Sequence, residues 1–421
     1  MKKIDAHITL SNGEFLLCGQ IVVHDSDPQG RLSSQFRYDE GYLRHPKAFA
    51  IDPIHLPLNE STFKSSDPYS GLHGVFSDAL PDAWGRRVMS KNPAILEFRR
   101  SFGLPLRMRD PDMLEWVGRG GLGSLCFSAS GENIRTQTHP LWADLPRLLV
   151  AASIVESEQM DNLDEVTASF WDAGSPSGGA RPKVLMPDML VKFPSKNDTW
   201  PVLLMEHVVM LLSERAGLDT AKTHFLTSSP GQDILAVERF DQSCSPGGRY
   251  HLLSAETLLG VQSFNHLTSY RDLATIIKDI CVDPEKDLQK LYRQMVCNIV
   301  FGNTDDHLKN FAFMYDGTGY TLTPAYDIVP YFGAEHALRF DLDAAPPGRE
   351  TLIKIGESFE IERNACKCII STVIESAGYA KEVLDTFEIE DRQKGRFVQL
   401  FERRSSELKP DVFGVQINLE N

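Results

Sequence analysis

Gly302-Asn-Thr-Asp-Asp-His-Leu-Lys-Asn310 and Leu322-Thr-Pro-Ala-Tyr-Asp327 are the two stretches that decide how this sequence folds. Asp305 and Asn310 have the spacing of a catalytic loop for phosphoryl transfer, where the carboxylate accepts the proton of an attacking hydroxyl and the amide oxygen binds magnesium. Asp327 follows a predicted strand and turn, which return a second magnesium ligand to the same place. Mg²⁺ prefers a few such oxygens together with phosphate. The segment therefore predicts a phosphotransferase site.

Two other interpretations of this segment remain open. An aspartate-rich loop can be a solvated turn, and His307 can be a histidine that makes only structural hydrogen bonds. A dinuclear hydrolase is also possible, because His and adjacent Asp side chains can bind two metal ions. That site would need further histidines at ligand spacing, whereas His251, His266 and His336 are scattered along the chain.

A glycine-rich segment lies upstream, at Gly174-Ser-Pro-Ser-Gly-Gly-Ala-Arg-Pro-Lys183. Its small residues allow backbone N–H groups to converge on phosphate oxygens, although a flexible surface loop has the same composition. The segment is not a Walker A motif, because GxxxxGK[ST] is absent and Val184 follows the lysine. A predicted strand that contains Lys192 comes next. The order of glycine loop, lysine and catalytic loop is that of a kinase.

A second glycine pattern, Gly118-Arg-Gly-Gly-Leu-Gly123, fits the GxGxxG fingerprint of dinucleotide sites. Such a site needs a helix N-terminus directed at the pyrophosphate. Ser124-Leu-Cys-Phe127 follows instead and leads into Ser-Ala-Ser-Gly131, so no helix is predicted there. The pattern favours a glycine hairpin.

Composition limits the classes of function. The chain has 421 residues, 42% hydrophobic, and a net charge of −15, which disfavours direct binding to nucleic acid. Seven cysteines without CxxC spacing indicate free thiols in a reducing compartment. The N-terminus has no apolar signal region and the most apolar later run, Val202 to Leu212, is interrupted by Glu206 and His207. We expect a cytoplasmic protein without membrane contact.

The order of predicted elements indicates an α+β fold, with strands early and helices late. Alternation over residues 4–23 around Asn12-Gly13 predicts two strands joined by a turn. Ser77-Asp78 predicts the N-cap of a helix that has Pro81 in its first turn. Residues 201–216 predict an amphipathic helix that ends at Gly217. We expect three domains: an N-terminal subdomain over 1–105, an N-lobe over 106–240 and a helical C-lobe over 241–421.

Several motifs in a fixed order resemble those of the HipA family, the Ser/Thr protein kinases that are toxins of bacterial type II toxin–antitoxin modules. They span residues 76 to 327. They are Phe76-Ser-Asp-Ala-Leu-Pro-Asp-Ala-Trp-Gly-Arg86, Gly178-Gly-Ala-Arg-Pro-Lys183, Val191-Lys-Phe-Pro194, Val237-Glu-Arg-Phe-Asp241 and the two stretches quoted first. The resemblance implies a bilobal kinase-like fold with a small β-rich N-terminal subdomain and a mostly helical C-lobe.

The resemblance also implies roles for individual residues, with ATP and Mg²⁺ as cofactors. Asp305 corresponds to the catalytic base of the family. Asn310 and Asp327 correspond to the metal ligands, and Lys192 corresponds to the lysine that binds the nucleotide phosphates. Glu238 and Phe240 would offer hinge backbone to adenine. The ATP-binding residues implied in full are Gly178, Gly179, Ala180, Arg181, Pro182, Lys183, Lys192, Glu238, Arg239, Phe240, His307, Leu308, Lys309, Asn310, Tyr326 and Asp327.

One departure from the family concerns self-regulation. Family members phosphorylate a serine of the glycine loop, but Pro176 stands at that position here, between Ser175 and Ser177. We favour Ser177 as the autophosphorylated residue because it is nearer the glycines, with Ser175 as the alternative. The chain also has Tyr326-Asp-Ile328 where eukaryotic kinases have Asp-Phe-Gly, which is normal for this family.

The family resemblance implies partners as well. A HipB-like helix-turn-helix antitoxin would bind the protein and carry it to operator DNA, and an aminoacyl-tRNA synthetase is the protein substrate that the resemblance suggests. Two other functions stay open: a co-repressor that acts only by binding the antitoxin, and a small-molecule kinase of similar fold.

Overall fold

The computed structural model describes residues 1–65, 67, 70–158, 166, 168–174, 179–227, 233–261 and 267–409. The chain divides into two compact units. The first contains Met1–Leu204, Ala221–Gln262 and Phe311–Thr323, and the second contains Met205–Thr220, Ser263–Asn310 and Pro324–Asn421. The boundaries predicted at residues 105 and 240 stay a prediction.

The first unit begins with a sheet and short helices. Its early strands are β1 (Lys2–Thr9), β2 (Phe15–Val23), β3 (Ser34–Tyr38), β4 (Phe63–Ser65) and β5 (Leu125–Ala129). Its early helices are α1 (Glu40–Leu43), α2 (Gly74–Ser77), α3 (Ala83–Lys91), α4 (Pro93–Ser101) and α5 (Asp110–Val117). The strands form an antiparallel sheet in the order β4-β3-β2-β1-β5.

The predicted hairpin at the N-terminus is confirmed. Ile4, Ala6 and Ile8 of β1 are buried at alternate positions, as expected for a strand with one face on the core. Gly13 adopts a φ of 85°, which favours glycine, and closes the turn. The backbone N–H of Leu10 donates to the carbonyl of Glu14 across it.

The helix predicted after Ser77-Asp78 is present as α3, but its predicted start is wrong, because a separate short helix, α2, precedes it. α2 ends at Ser77, and α3 starts only after Asp82, with Pro81 outside it. Asp78 does not cap a helix with its side chain, because its carboxylate accepts hydrogen bonds from the N–H and Oγ of Ser254. The carboxylate of Asp78 is therefore bound to a distant part of the unit.

The glycine pattern at 118–123 connects α5 to β5 rather than two strands, so the predicted hairpin is wrong. Gly118 ends α5 with a φ of 56°. A strand follows the glycines, and the absence of a helix at this point agrees with the prediction from the sequence.

A second sheet in the first unit carries the glycine-rich segment. Its strands are β6 (Lys183–Leu185), β7 (Met189–Lys192), β8 (Thr223–Thr227) and β9 (Asp233–Glu238), in the order β6-β7-β9-β8. The helices α6 (Leu145–Ser157) and α7 (Ala168–Gly174) belong to the same unit, whereas α8 (Val202–Arg215) starts in the first unit and continues in the second. One hydrophobic cluster joins Trp84 and Val88 of α3 to apolar residues of α6, α7, β6, β7 and β9.

A third sheet completes the first unit. It consists of β10 (His251–Ser254), β11 (Ala312–Tyr315) and β12 (Tyr320–Leu322), and α9 (Ala255–Leu259) follows β10. β11 is the strand predicted between the catalytic loop and Asp327. After the predicted turn, β12 pairs with it in an antiparallel register that places Phe313 opposite Leu322.

The second unit is helical. Its helices are α10 (Tyr270–Ile280), α11 (Pro284–Phe301), α12 (Arg349–Ser358), α13 (Arg363–Ala377), α14 (Ala380–Leu384) and α15 (Asp391–Glu407). Caps define their ends: Ser269 and Asp272 form a capping box for α10, and Asp283 caps α11. The predicted α+β order is confirmed. None of the helices in the described part of the chain combines the length and apolar character needed to cross a bilayer.

Candidate active site

The catalytic loop begins where α11 ends. Gly302 caps this helix with a φ of 71° and turns the chain out of it. Asn303 then bonds back to the helix, its N–H to the carbonyl of Asn298 (2.8 Å) and its amide nitrogen to the Asn298 amide oxygen (3.0 Å). The start of the loop is thus fixed before Asp305 is reached.

Asp305 and Asn310 are held together by the loop itself. The amide nitrogen of Asn310 donates to the Asp305 carbonyl (2.8 Å), and its backbone N–H donates to the carbonyl of His307 (2.9 Å). Asn310 is buried, whereas the Asp305 side chain is 58% exposed. Because the amide nitrogen is already bonded, the amide oxygen of Asn310 is the atom that remains for a metal.

Asp327 lies in the same unit, in an unusual backbone conformation. Its φ is 58°, in the left-handed region, which costs a residue with a Cβ about 1 kcal/mol. The preceding residues are fixed: the N–H of Ala325 donates to the Asp219 carbonyl (2.9 Å), and the hydroxyl of Tyr326 donates to the Lys309 carbonyl (2.7 Å). Strained residues of this kind concentrate at functional sites.

The charges of this loop interact. The pKa of Asp305 is raised above its usual value by partial loss of hydration and by the negative charges of Asp327 and Asp306, while His307 acts in the opposite direction. The His307 ring nitrogen Nε2 lies 3.9 Å from an Asp305 oxygen. The negative charges of Asp306 and Asp327 therefore act on Asp305 within this unit.

Asp306, next to Asp305, has a different task. It is buried, and its carboxylate accepts hydrogen bonds from the hydroxyl of Tyr270, from Nδ1 of His336 (3.0 Å) and from the N–H of Ala337 (2.9 Å). Asn298 extends this network by donating to the Tyr270 hydroxyl (2.9 Å). Asp306 therefore anchors the loop, and the sequence pattern did not distinguish it from its neighbour.

The glycine loop lies in the first unit, and its described part begins at Gly179, whose φ is 77°. Its N–H donates to the carboxylate of Asp82 (2.8 Å), and its carbonyl accepts from the N–H of Trp84 (3.0 Å). The indole N–H of Trp84 donates to the Lys183 carbonyl (2.7 Å). The predicted residues Gly178, Ser175 and Ser177 lie outside the described residues.

Lys183 and Lys192 are brought together by strand pairing. They are direct partners in the antiparallel pair β6–β7, so their side chains share one face of the sheet. Both are buried. Two lysine side chains on one face of the sheet attract phosphate groups by their charge. The spacing of nine residues alone did not reveal this pairing.

Two arginines predicted to bind nucleotide have carboxylate partners. Arg181 forms a bidentate salt bridge with Asp198 (2.7 and 2.8 Å). Arg239 is buried and forms an equivalent contact with Asp241 (2.7 and 2.9 Å), which also binds Arg249. Their guanidinium groups therefore form ion pairs within the protein, and their role in binding a nucleotide stays a prediction.

The predicted hinge residues follow directly from β9. Glu238 is exposed at the end of this strand, and its carboxylate contacts His224 (2.7 Å). The N–H of Arg239 donates to the Asp188 carbonyl (2.9 Å), which fixes the backbone between Glu238 and Phe240.

The remaining predicted residues divide between the two units. Ala180 and Pro182 continue the glycine loop in the first, and Leu308 and Lys309 occupy a 3₁₀ turn over Leu308–Asn310 in the second.

Among the described residues no group of three or more His, Cys, Asp or Glu side chains has the arrangement of a metal cluster. A magnesium site made of Asn310, Asp327 and phosphate needs no such cluster.

These features define the class of kinase-like proteins. In this protein a glycine loop precedes the strands of a β-sheet in the first unit, and the predicted catalytic loop lies in the helical second unit. The chain belongs to the HipA family. The model of the HipA N-terminal domain matches residues 19–128, and that of the HipA-like C-terminal domain matches residues 175–380.

Individual relatives agree with this assignment. The protein described as "Putative kinase Y4mE" of Sinorhizobium fredii is 30% identical over an alignment that covers 71% of this chain and 75% of that protein. A chain of the Shewanella oneidensis MR-1 toxin–antitoxin complex of HipA, HipB and operator DNA has a TM-score of 0.67, with 18% identity, over 96% of this chain and 97% of its own length. This likeness confirms the predicted bilobal kinase-like fold of the HipA type.

Proposed function

We propose that this protein is an ATP- and Mg²⁺-dependent Ser/Thr protein kinase that acts in the cytoplasm as the growth-inhibiting toxin of a toxin–antitoxin system. The observation that carries the proposal is the loop in which the Asn310 amide bonds to the Asp305 backbone while Asp327 is held in the left-handed conformation nearby. This arrangement has the three groups that phosphoryl transfer needs.

In this mechanism Asp305 orients the attacking hydroxyl and accepts its proton. Asn310 and Asp327 would hold magnesium, which neutralises phosphate charge when bound. Lys183 and Lys192 attract the phosphates of ATP, and the backbone near Glu238 would contact adenine. Asp306 keeps Asp305 in position and does not itself take part in proton transfer.

The partners follow from the family. The relative from Shewanella oneidensis was solved with HipB and operator DNA, which supports a HipB-like antitoxin as the partner of this chain and DNA contact through it. An aminoacyl-tRNA synthetase as substrate rests on the family resemblance. Autophosphorylation at Ser177, or at Ser175, stays a prediction.

The proposal is tested by incubating the protein with labelled ATP, Mg²⁺ and cell lysate. Wild type should label protein, and Asp305→Asn should lower the rate roughly 10²- to 10⁴-fold, because the general base is lost. Nucleotide affinity measured by calorimetry should stay within about threefold, since the variant keeps the binding groups. The exposed Asp279 gives a matched control, and Asp279→Asn should label like wild type.

The same two variants should be expressed in bacteria without a partner. Wild type and Asp279→Asn should slow growth, and Asp305→Asn should not. Labelling within threefold of wild type by Asp305→Asn would refute the kinase assignment. Label confined to small molecules would favour the small-molecule kinase, and equal growth inhibition by all three proteins would favour a function through binding alone.

A further inference from the structure

Asp82 occupies the N-cap position of α3 but does not cap this helix with its side chain. An aspartate at such a position normally accepts a hydrogen bond from an N–H of its own first turn. Here the carboxylate instead accepts from the N–H of Gly179, 97 residues along the chain (2.8 Å). The Asp82 carboxylate therefore binds the glycine loop instead of capping the first turn of α3.

Trp84 holds the same loop two residues further along α3. Its backbone N–H donates to the Gly179 carbonyl, and its indole N–H donates to the Lys183 carbonyl. The indole is buried within the hydrophobic cluster of the second sheet. Together with Asp82, it fixes the N–H and the carbonyl of Gly179 and the last carbonyl of the loop.

Gly179 needs such support. Its φ of 77° is a conformation that glycine reaches freely but does not hold alone. An added Cβ would also lie 2.6 Å from the Lys183 ammonium nitrogen, so the end of the lysine side chain would have to move. Ordering each loop residue costs about 1–2 kcal/mol, and a loop that is already ordered binds its ligand more tightly.

We propose that Asp82 and Trp84 are positioning residues through which the N-terminal part of the chain sets the conformation of the glycine loop and thereby the affinity for nucleotide. The second half of this statement rests on the proposed kinase function. The first half concerns the protein without ligand and can be tested by itself.

Hydrogen exchange of the full-length protein tests the first half. Asp82→Ala removes the acceptor, so backbone exchange in a peptide over 179–185 should rise severalfold. Asp82→Asn keeps an oxygen acceptor and should exchange like wild type. Trp84→Phe removes the indole donor but keeps a ring in the core, and it should also raise exchange. Glu97→Ala, which removes an exposed carboxylate from α4, is the matched control.

Nucleotide titration tests the second half. The Kd for ATP with Mg²⁺ should rise about threefold to tenfold in Asp82→Ala, the value of one lost hydrogen bond. KM for ATP should rise likewise with kcat nearly unchanged, and Asp82→Asn should restore both. A protein that had merely lost stability would not show this rescue or this separation of KM from kcat.

Several outcomes would overturn the proposal. Exchange over 179–185 that is equal in Asp82→Ala, Trp84→Phe and wild type would show that the contacts do not hold the loop. Tighter nucleotide binding by Asp82→Ala would show that Asp82 blocks the loop instead of positioning it. Wild-type protein that binds no nucleotide would refute the kinase function, while the exchange data would still decide the role of Asp82.

Discussion

The catalytic loop and the glycine loop are held in contrasting ways. Asp306 anchors the catalytic loop within the second unit, through hydrogen bonds to Tyr270, 36 residues upstream, and to His336, 30 residues downstream. The glycine loop is held in the first unit by backbone hydrogen bonds to Asp82 and Trp84, about a hundred residues upstream. A buried side-chain network makes a loop rigid, whereas contacts from a distant helix make its conformation depend on that helix.

The largest expected effect is on the catalytic loop. Asp306→Ala leaves the Tyr270 hydroxyl, His336 and the Ala337 N–H without their carboxylate, and breaking a buried group of this kind costs roughly 3–5 kcal/mol. Urea unfolding followed by circular dichroism should show this loss. Hydrogen exchange over 179–185 under native conditions should stay as in wild type.

The control for this variant is Asp279→Ala, which removes an exposed carboxylate from α10 and should change stability by less than about 0.5 kcal/mol. If Asp306→Ala were as stable as Asp279→Ala, the network would not anchor the loop, and the contrast between the two loops would be lost.

A smaller effect concerns the lysines beside the glycine loop. Lys192→Met keeps much of the side-chain volume but removes a charge from the phosphates, so ATP affinity should fall roughly tenfold to a hundredfold. Calorimetry measures this directly. Lys64→Met, on an exposed position of β4, should bind like wild type. Unchanged affinity in Lys192→Met would mean that Lys192 is directed at another group.

The smallest expected effect is a dependence of the free energy of unfolding on pH, which arises in the first unit. Burial lowers the pKa of His73 and of His251 to about 4, and both lie in the first unit. Neither ring nitrogen of His73 has a hydrogen-bond partner among the described residues. The unfolded chain binds protons more readily than the folded chain between pH 6.5 and 4, so stability is full above pH 6.5 and falls as the pH drops through this range.

Each of these histidines should cost about 1 kcal/mol of stability at pH 5.5 relative to pH 7. Urea unfolding at the two pH values measures the loss. His73→Leu cannot be protonated and should show a smaller pH dependence than wild type. An equal pH dependence in the two proteins would show that His73 is not the group responsible.

The spacing of Asp305, Asn310 and Asp327 predicted that the three residues belong to one site, and the structure places all three in the second unit. Their roles in catalysis stay a prediction. The left-handed φ of Asp327 has no signature in sequence, since any residue in a fixed loop can be forced into it. Asp306 was not distinguished because burial depends on what packs around the loop.

Contacts between distant segments were the harder part of the first unit. The local sequence pattern predicted Ser77-Asp78 as a helix cap, but the Asp78 carboxylate binds Ser254. The nearby carboxylate of Asp82 likewise binds a distant residue, Gly179. The arginine partners of Asp198 and Asp241 were likewise invisible, because a positive charge near a phosphate loop fits a nucleotide as well as a carboxylate. The partners of these side chains are set by tertiary contacts, which a local sequence pattern does not encode.

Trp84 has one further consequence, for how the chain can be divided. It belongs to the segment matched as the HipA N-terminal domain, over residues 19–128, yet its ring completes a core made mostly by residues beyond 144. A protein cut between the two matched segments would leave an indole-sized hole in one piece and an exposed tryptophan on the other. We therefore expect the residues from 145 onward to pack their core stably only in a chain that also contains the N-terminal segment.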